Sequence, residues 1–163
     1  MNDQFTDPTQ FQTDFNLDDE YKPAPLAPQG NYRGHTTQVQ FDPVAQSIVW
    51  QVTLQGNDGL MSNGETPIDG QQFYYRNWLP RIGDEDIPTK SGRMNKRQAK
   101  INMMKEFADK MQIQMADTKV ILENLTEGNW VGIPVIIKVG IGEYEGRTRN
   151  EVNDMIRDPD IAF

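Results

Sequence analysis

The sequence predicts a mainly β domain of five strands, with a helix between the third and the fourth. Three observations carry that expectation. Apolar and polar residues alternate over several short runs, as in strands with one face on a core. Gly, Pro and Asp-Pro signals separate those runs. One long stretch, residues 94–111, spaces its apolar residues at a helical period instead. At 163 residues the chain is long enough for one domain with a proper core.

Residues 1–29 read as an extended arm. Pro8, Pro23, Pro25 and Pro28 sit in a Gln- and Asp-rich sequence with little periodicity. Phe5, Phe11, Phe15 and Tyr21 add a second expectation, that the arm packs either on its own domain or on a neighbouring subunit. Gly30 opens an ordered body that runs to residue 156. Tyr32 to Phe41 is the first strand, with Thr36, Thr37 and Val39 in support, and Asp42-Pro43 turns the chain. Ser47 to Gln55 is the cleanest strand, where Ile48, Trp50, Val52 and Leu54 alternate with Val49, Gln51 and Thr53. A Gly- and Asn-rich loop over 56–70 leads to a third strand, Phe73 to Leu79, which Pro80 closes.

A loop over 80–93 precedes the helix. Ile101, Met104, Ala108 and Met111 form its apolar stripe, widened by Met103 and Phe107. Asp117 either caps a short second helix through Leu125 or precedes a strand at Val120 to Leu122. Val131 to Ile141 is the fourth strand, apolar enough for burial on both faces. A turn over 142–146 and a fifth strand from Arg147 to Ile156 follow, and residues 157–163 form a tail. This order matches a five-stranded Greek-key barrel of the oligonucleotide- and oligosaccharide-binding (OB) type, whose helix lies between strands three and four.

Charge is sorted along the chain. The net charge is −8, yet residues 1–20 carry −6, residues 151–163 carry −3, and everything between sums to +1. Within that body, residues 88–110 carry +5. A basic stretch between acidic ends suits a protein that binds a polyanion and limits the binding with its own tails. No cysteine is present, which excludes disulfides and thiolate metal sites and points to the cytoplasm. The acidic N-terminus does not read as a secretory signal, and no apolar run approaches the ~20 residues that span a bilayer.

Candidate binding residues follow from these patterns. Alternation puts Tyr74, Arg76 and Trp78 on one face of strand three and Phe73, Tyr75 and Leu79 on the other. The first set offers flat rings with a guanidinium between them, a platform on which unpaired bases stack. The opposite arrangement buries Tyr74 and Trp78 and turns Asn77 outward. Lys90, Arg93, Lys96 and Arg97 lie in the loop and first helical turn, where phosphate also meets free backbone N–H groups. Lys100, Lys105 and Lys110 read as a solvated helix face. Arg147 and Arg149 point the same way beside Tyr144, next to the groove of such a barrel, with Arg33 on strand one able to join them; structural ion pairing is the alternative. In the tail, Asp158, Asp160, Ile161 and Phe163 combine carboxylates with an apolar tip. That combination either fills a partner's pocket or folds back over the basic groove. His35 is the only histidine, so neither a multi-histidine metal site nor a Ser-His device is expected. Asp84-Glu85-Asp86, in a loop, either holds Mg²⁺ or Ca²⁺ or is simply solvated. No cofactor motif is present.

The body resembles a family of phage single-stranded-DNA-binding proteins with an oligonucleotide-binding barrel, over roughly Tyr21 to Ile156. The resemblance rests on four stretches. They are Ala24-Pro25 through Pro28-Gln29-Gly30-Asn31-Tyr32, Asp69-Gly70-Gln71, Leu125 through Trp130-Val131-Gly132, and Gly146 through Asn150-Glu151-Val152. The tail is similar to the acidic tip of bacterial single-stranded-DNA-binding proteins, with Ala162 where that tip has proline. The resemblance implies a non-catalytic protein that coats exposed strands in phage replication, recombination and repair. Its partners would be single-stranded DNA, replication or recombination proteins at the tail, and other copies of itself. Two other expectations stand beside it: an assembly protein that latches onto neighbours through its arm, and a metal-dependent nuclease using Asp84 and Glu85.

Overall fold

The computed structural model describes residues 7–161, so Phe5 and Phe163 lie outside the described residues. The chain is mainly β. Five antiparallel strands form one sheet: β1 (Gly30–Asp42), β2 (Ser47–Leu54), β3 (Gln72–Trp78), β4 (Pro134–Tyr144) and β5 (Arg147–Arg157). Their spatial order is β3-β2-β1-β4-β5. Strand β1 is therefore central, and it joins an N-terminal three-stranded unit to a C-terminal hairpin. The edge strands β3 and β5 come into contact, but no pairing joins them among the described residues. Helix α1 (Leu17–Glu20) lies in the arm, and α2 (Lys96–Met111) and α3 (Thr118–Glu127) lie between β3 and β4.

The caps explain why the helices start where they do. Asn95 Oδ1 accepts from the Gln98 N–H at 2.8 Å and opens α2; Asp117 Oδ1 accepts from the Val120 N–H at 2.9 Å and opens α3. The Asp117 cap settles the helix-or-strand alternative for Val120 to Leu122 in favour of helix. Gln112, in the left-handed region, ends α2, and Arg157 Nε donates to the Met111 carbonyl at 2.7 Å, satisfying one of its open C-terminal groups.

The core is the inner face of the sheet closed by α2 and Trp130. Trp50 is fully buried, with its ring centroid 5.2 Å from Phe107 and 5.3 Å from Trp130. Burying so polar an indole requires a partner for its N–H, and Trp50 Nε1 donates to the buried Asn77 Oδ1 at 2.7 Å. Ile48, Val52, Leu54, Val135, Ile137, Val139 and Met155 complete the inner face.

Four expectations need correction. Strand β4 is buried on one face only: Val135, Ile137 and Val139 point inward, whereas Lys138 and Ile141 are exposed. Its apolar run reflects β-propensity and partial cover, not two cores. The β4–β5 turn is the two-residue Glu145-Gly146, both at positive φ, so Gly142 lies within the strand. A Cβ there would meet the Glu151 carboxylate, which crosses the strand at that point. The body begins at Leu26, not Gly30: the Leu26 N–H donates to Ser62 Oγ at 2.8 Å, and Ala27 exchanges hydrogen bonds with the Asn150 amide at 2.8 and 2.9 Å. It also extends past residue 156, because the Asp158 N–H continues the ladder to the Pro134 carbonyl at 2.9 Å and its side chain is buried. Among the described residues, no helix is long and apolar enough to cross a membrane.

Candidate nucleic-acid interface

Register decides which face of β3 meets solvent. Tyr74 pairs with Gln51, which pairs with Gln38; Arg76 pairs with Val49, which pairs with Gln40. These rows lie opposite the Trp50 core, so Tyr74 and Trp78 are 58% and 48% exposed, while Phe73 and Tyr75 pack against the core and Asn77 is buried. The alternative with Asn77 outward is thereby overturned. Asn77 faces inward because the Trp50 indole needs an acceptor there.

Arg76 is held between its neighbours. Its guanidinium lies 5.7 Å from the Trp78 ring centroid, and Nη1 donates to Ser47 Oγ at 2.6 Å and to Asp42 Oδ2 at 3.2 Å. Asp42 also accepts from the Val44 and Ala45 N–H groups, which shapes the β1–β2 turn. The Ala45 N–H, followed by Arg76, holds the Asp42 carboxyl below its ordinary range. The Arg76 side chain is thus positioned, yet its ion pair is half exposed and weak enough to exchange for another anion.

Beside this face a groove of about 400 Å³ runs between β3 and α2. Arg76, Trp78, Arg81, Lys96, Lys100 and Met103 line it. Arg81 escaped the sequence reading. It follows the Pro80 that closes β3, and nothing in its spacing marks it, but its guanidinium donates to the Val44 carbonyl at 3.1 Å and braces the β1–β2 turn over the groove. Met103, expected in the core, is 62% exposed at the groove wall. Lys100, expected on a solvated face, is nearly buried: its ammonium donates to Asp84 Oδ2 at 2.7 Å and to the Leu79 carbonyl at 3.2 Å. Lys105 and Lys110 do lie at the surface, paired with Asp109 and Asp154.

The same contact removes Asp84 from metal chemistry. Its carboxylate is buried, occupied by Lys100 and by the Arg81 N–H at 2.7 Å, and held below the usual carboxylate range by those two bonds in that order. No group of three potential ligands for a metal occurs among the described residues.

The structure splits the basic loop. Lys96 faces the groove; Lys90, Arg93 and Arg97 are exposed but do not line it. Across the sheet, Tyr144 is opposite Arg147 and Gly142 is opposite Arg149, so all three side chains share one face of the β4–β5 hairpin. The Arg149 guanidinium lies 4.2 Å from the Tyr144 ring centroid. Following the register through β1 puts this face on the same side of the sheet as Tyr74. On that side, the strands between β3 and β4 carry a polar strip that includes Gln38, Gln40, Gln51 and Thr53.

Arg33 lies on this side of the sheet too, two residues from His35, which pairs with Thr53, but carboxylates already engage it. Its Nη2 pairs with Asp160, and its Nε lies 3.6 Å from the buried Asp158 Oδ2. Ile161 is exposed nearby and lines a wider depression around Arg33 and His35. That depression has no Phe, Tyr or Trp in its lining, and its Arg33 is already engaged by carboxylates, so it offers less to a polyanion than the β3 groove does.

An exposed pair of flat rings, with cations and hydrogen-bonding side chains on the same side, can hold a chain that alternates anions with flat unpaired groups. No family model matches this sequence, and no curated protein matches it.

Proposed function

We propose that the protein is a non-catalytic single-stranded-DNA-binding module with an OB-type barrel and weak sequence preference. It would coat exposed strands in phage replication, recombination or repair, inside the host cytoplasm. The observation that carries this reading is the exposure of Tyr74 and Trp78 around Arg76, beside a groove that also presents Arg81 and Lys96. Unpaired bases stack on such rings for roughly 1–3 kcal/mol each whatever their identity, whereas duplex bases are already stacked. Phosphates would meet Arg76, Arg81 and Lys96 at one end of the strip, and Arg147 and Arg149 at the other. The strand order and the two helices between β3 and β4 support the barrel assignment. The Asp158 and Asp160 carboxylates around Arg33 support a tail that folds back on its own domain; the residues after them would serve a replication or recombination partner.

Fluorescence titration tests the proposal. A dT oligomer should bind with an affinity that falls steeply as salt rises, and duplex of equal length should bind far worse. Equal affinity for both strand states, with no salt dependence, rejects it. The assembly reading keeps one specific support, the exposed aromatics of the arm. The nuclease reading has lost Asp84 to Lys100.

A further inference from the structure

The arm leaves four large apolar side chains in solvent within eleven positions: Phe11, Phe15, Leu17 and Tyr21 are 59, 66, 73 and 72% exposed. The same stretch carries Asp14, Asp18, Asp19 and Glu20 and no Lys or Arg. It also has local structure. Asn16 Oδ1 accepts from the Asp18 and Asp19 N–H groups at 3.0 and 3.1 Å, and Glu20 reaches back to the Asn16 N–H, so α1 starts with a capping box. An idle polar leader needs neither the cap nor the rings.

The body offers a complementary surface at residues 82–97, whose basic part, 90–97, follows the exposed Glu85 and Asp86. Lys90, Arg93 and Arg97 are exposed there, outside the β3 groove, and form no ion pair among the described residues. Ile82 is fully exposed, and Ile87 and Met94 are 46% and 39% exposed. The loop is preformed: Pro88 bridges Asn95, the Thr89 N–H donates to the Met94 carbonyl at 2.9 Å, and the Lys96 N–H donates to the Ile87 carbonyl at 2.7 Å. Acid with aromatic thus faces base with aliphatic, and a preformed receptor keeps the ordering cost of the arm low. Within one chain, no hydrogen bond or ion pair joins the described arm to this loop.

We propose that the acidic aromatic arm of one copy docks on the 82–97 loop of a second copy. The interface is heterologous, because arm and receptor are different surfaces, so it propagates copies along a strand unless two copies close by exchanging arms. This inference goes beyond strand binding and is tested without DNA.

Sedimentation velocity at low salt, over a range of protein concentration, gives the readout. One variant removes the arm contacts (Phe11→Ser, Phe15→Ser, Leu17→Ser, Tyr21→Ser) and another reverses the receptor (Arg93→Glu, Arg97→Glu). All six positions are exposed, and circular dichroism checks that both variants fold. The wild type should associate as concentration rises and separate near ~0.5 M salt, where screening is short-ranged. Each variant alone should remain a monomer. An equimolar mixture of the two should give dimers and nothing larger, because one intact receptor meets one intact arm. A wild type that stays monomeric overturns the proposal. So does an arm variant that associates like the wild type, or a mixture that stays monomeric, the result expected of an arm that folds onto its own loop.

Discussion

Replacing Trp78 separates a binding platform from a packing residue. Its ring is about half exposed. A Trp side chain buries about 150–250 Å² when fully enclosed, so half of that at ~25 cal/mol per Å² makes Trp78→Ala cost about 2–3 kcal/mol of stability. If the folded state starts at the low end of the usual range, about 5 kcal/mol, at least 2 kcal/mol remains and roughly 97% of molecules stay folded. Unfolding therefore changes the apparent affinity by only a few per cent. Loss of one stacked base removes about 1–3 kcal/mol of binding, a roughly 5- to 150-fold rise in Kd. Anisotropy with a labelled dT oligomer at fixed low salt measures the change. Intrinsic fluorescence gives an independent check. The chain has three tryptophans, and Trp50 and Trp130 are buried, so quenching by DNA should come from Trp78. Trp78→Phe should keep most of the affinity and lose the quenching. An unchanged Kd in Trp78→Ala, or full quenching in Trp78→Phe, refutes the stacking argument.

Three further outcomes follow from the geometry. Lys96→Gln and Arg149→Gln should each reduce the slope of log K against log salt by about 0.7, the single-strand value for one phosphate, with little change in thermal stability; Lys105→Gln, paired with Asp109 on the helix surface, should leave it unchanged. Asn77→Leu strands the buried Trp50 N–H, and urea denaturation should show a loss of about 1–3 kcal/mol, with dT binding retained at concentrations where the protein is folded. Asp84 has a depressed folded pKa, so its contribution is present above its unfolded pKa, about 4, and is lost as pH falls through the folded value. Asp84→Asn should lower Tm at neutral pH and flatten the acid limb of a Tm-against-pH curve below about pH 4. An unaltered acid limb counts against the Lys100 pair as its origin.

The strands were legible because alternation is local: Ile48 to Leu54 names its own inner face. The facing of Tyr74, Arg76 and Trp78 was legible for the same reason. Other positions depend on neighbours distant in sequence. Met103 fits the α2 stripe by spacing, yet it is left exposed as a wall of the groove between β3 and α2. Lys100 looks like any surface lysine until the 79–84 loop folds over it and supplies Asp84. Asp158 reads as tail, yet its N–H completes the β4 ladder. Arg81 carries no pattern, and its role depends on the carbonyl of Val44, thirty-seven positions away.

The central place of β1 has a consequence for biosynthesis. Its pairing with β2 forms from adjacent sequence, but its other edge waits for Pro134 to Val139, which pair with His35 to Gly30. While the ribosome makes the hundred or so residues between them, the nascent chain displays the unsatisfied amides and carbonyls of an edge strand. Release of residues 134–139 ends that exposure. Translation pauses before that point should raise aggregation more than pauses after it.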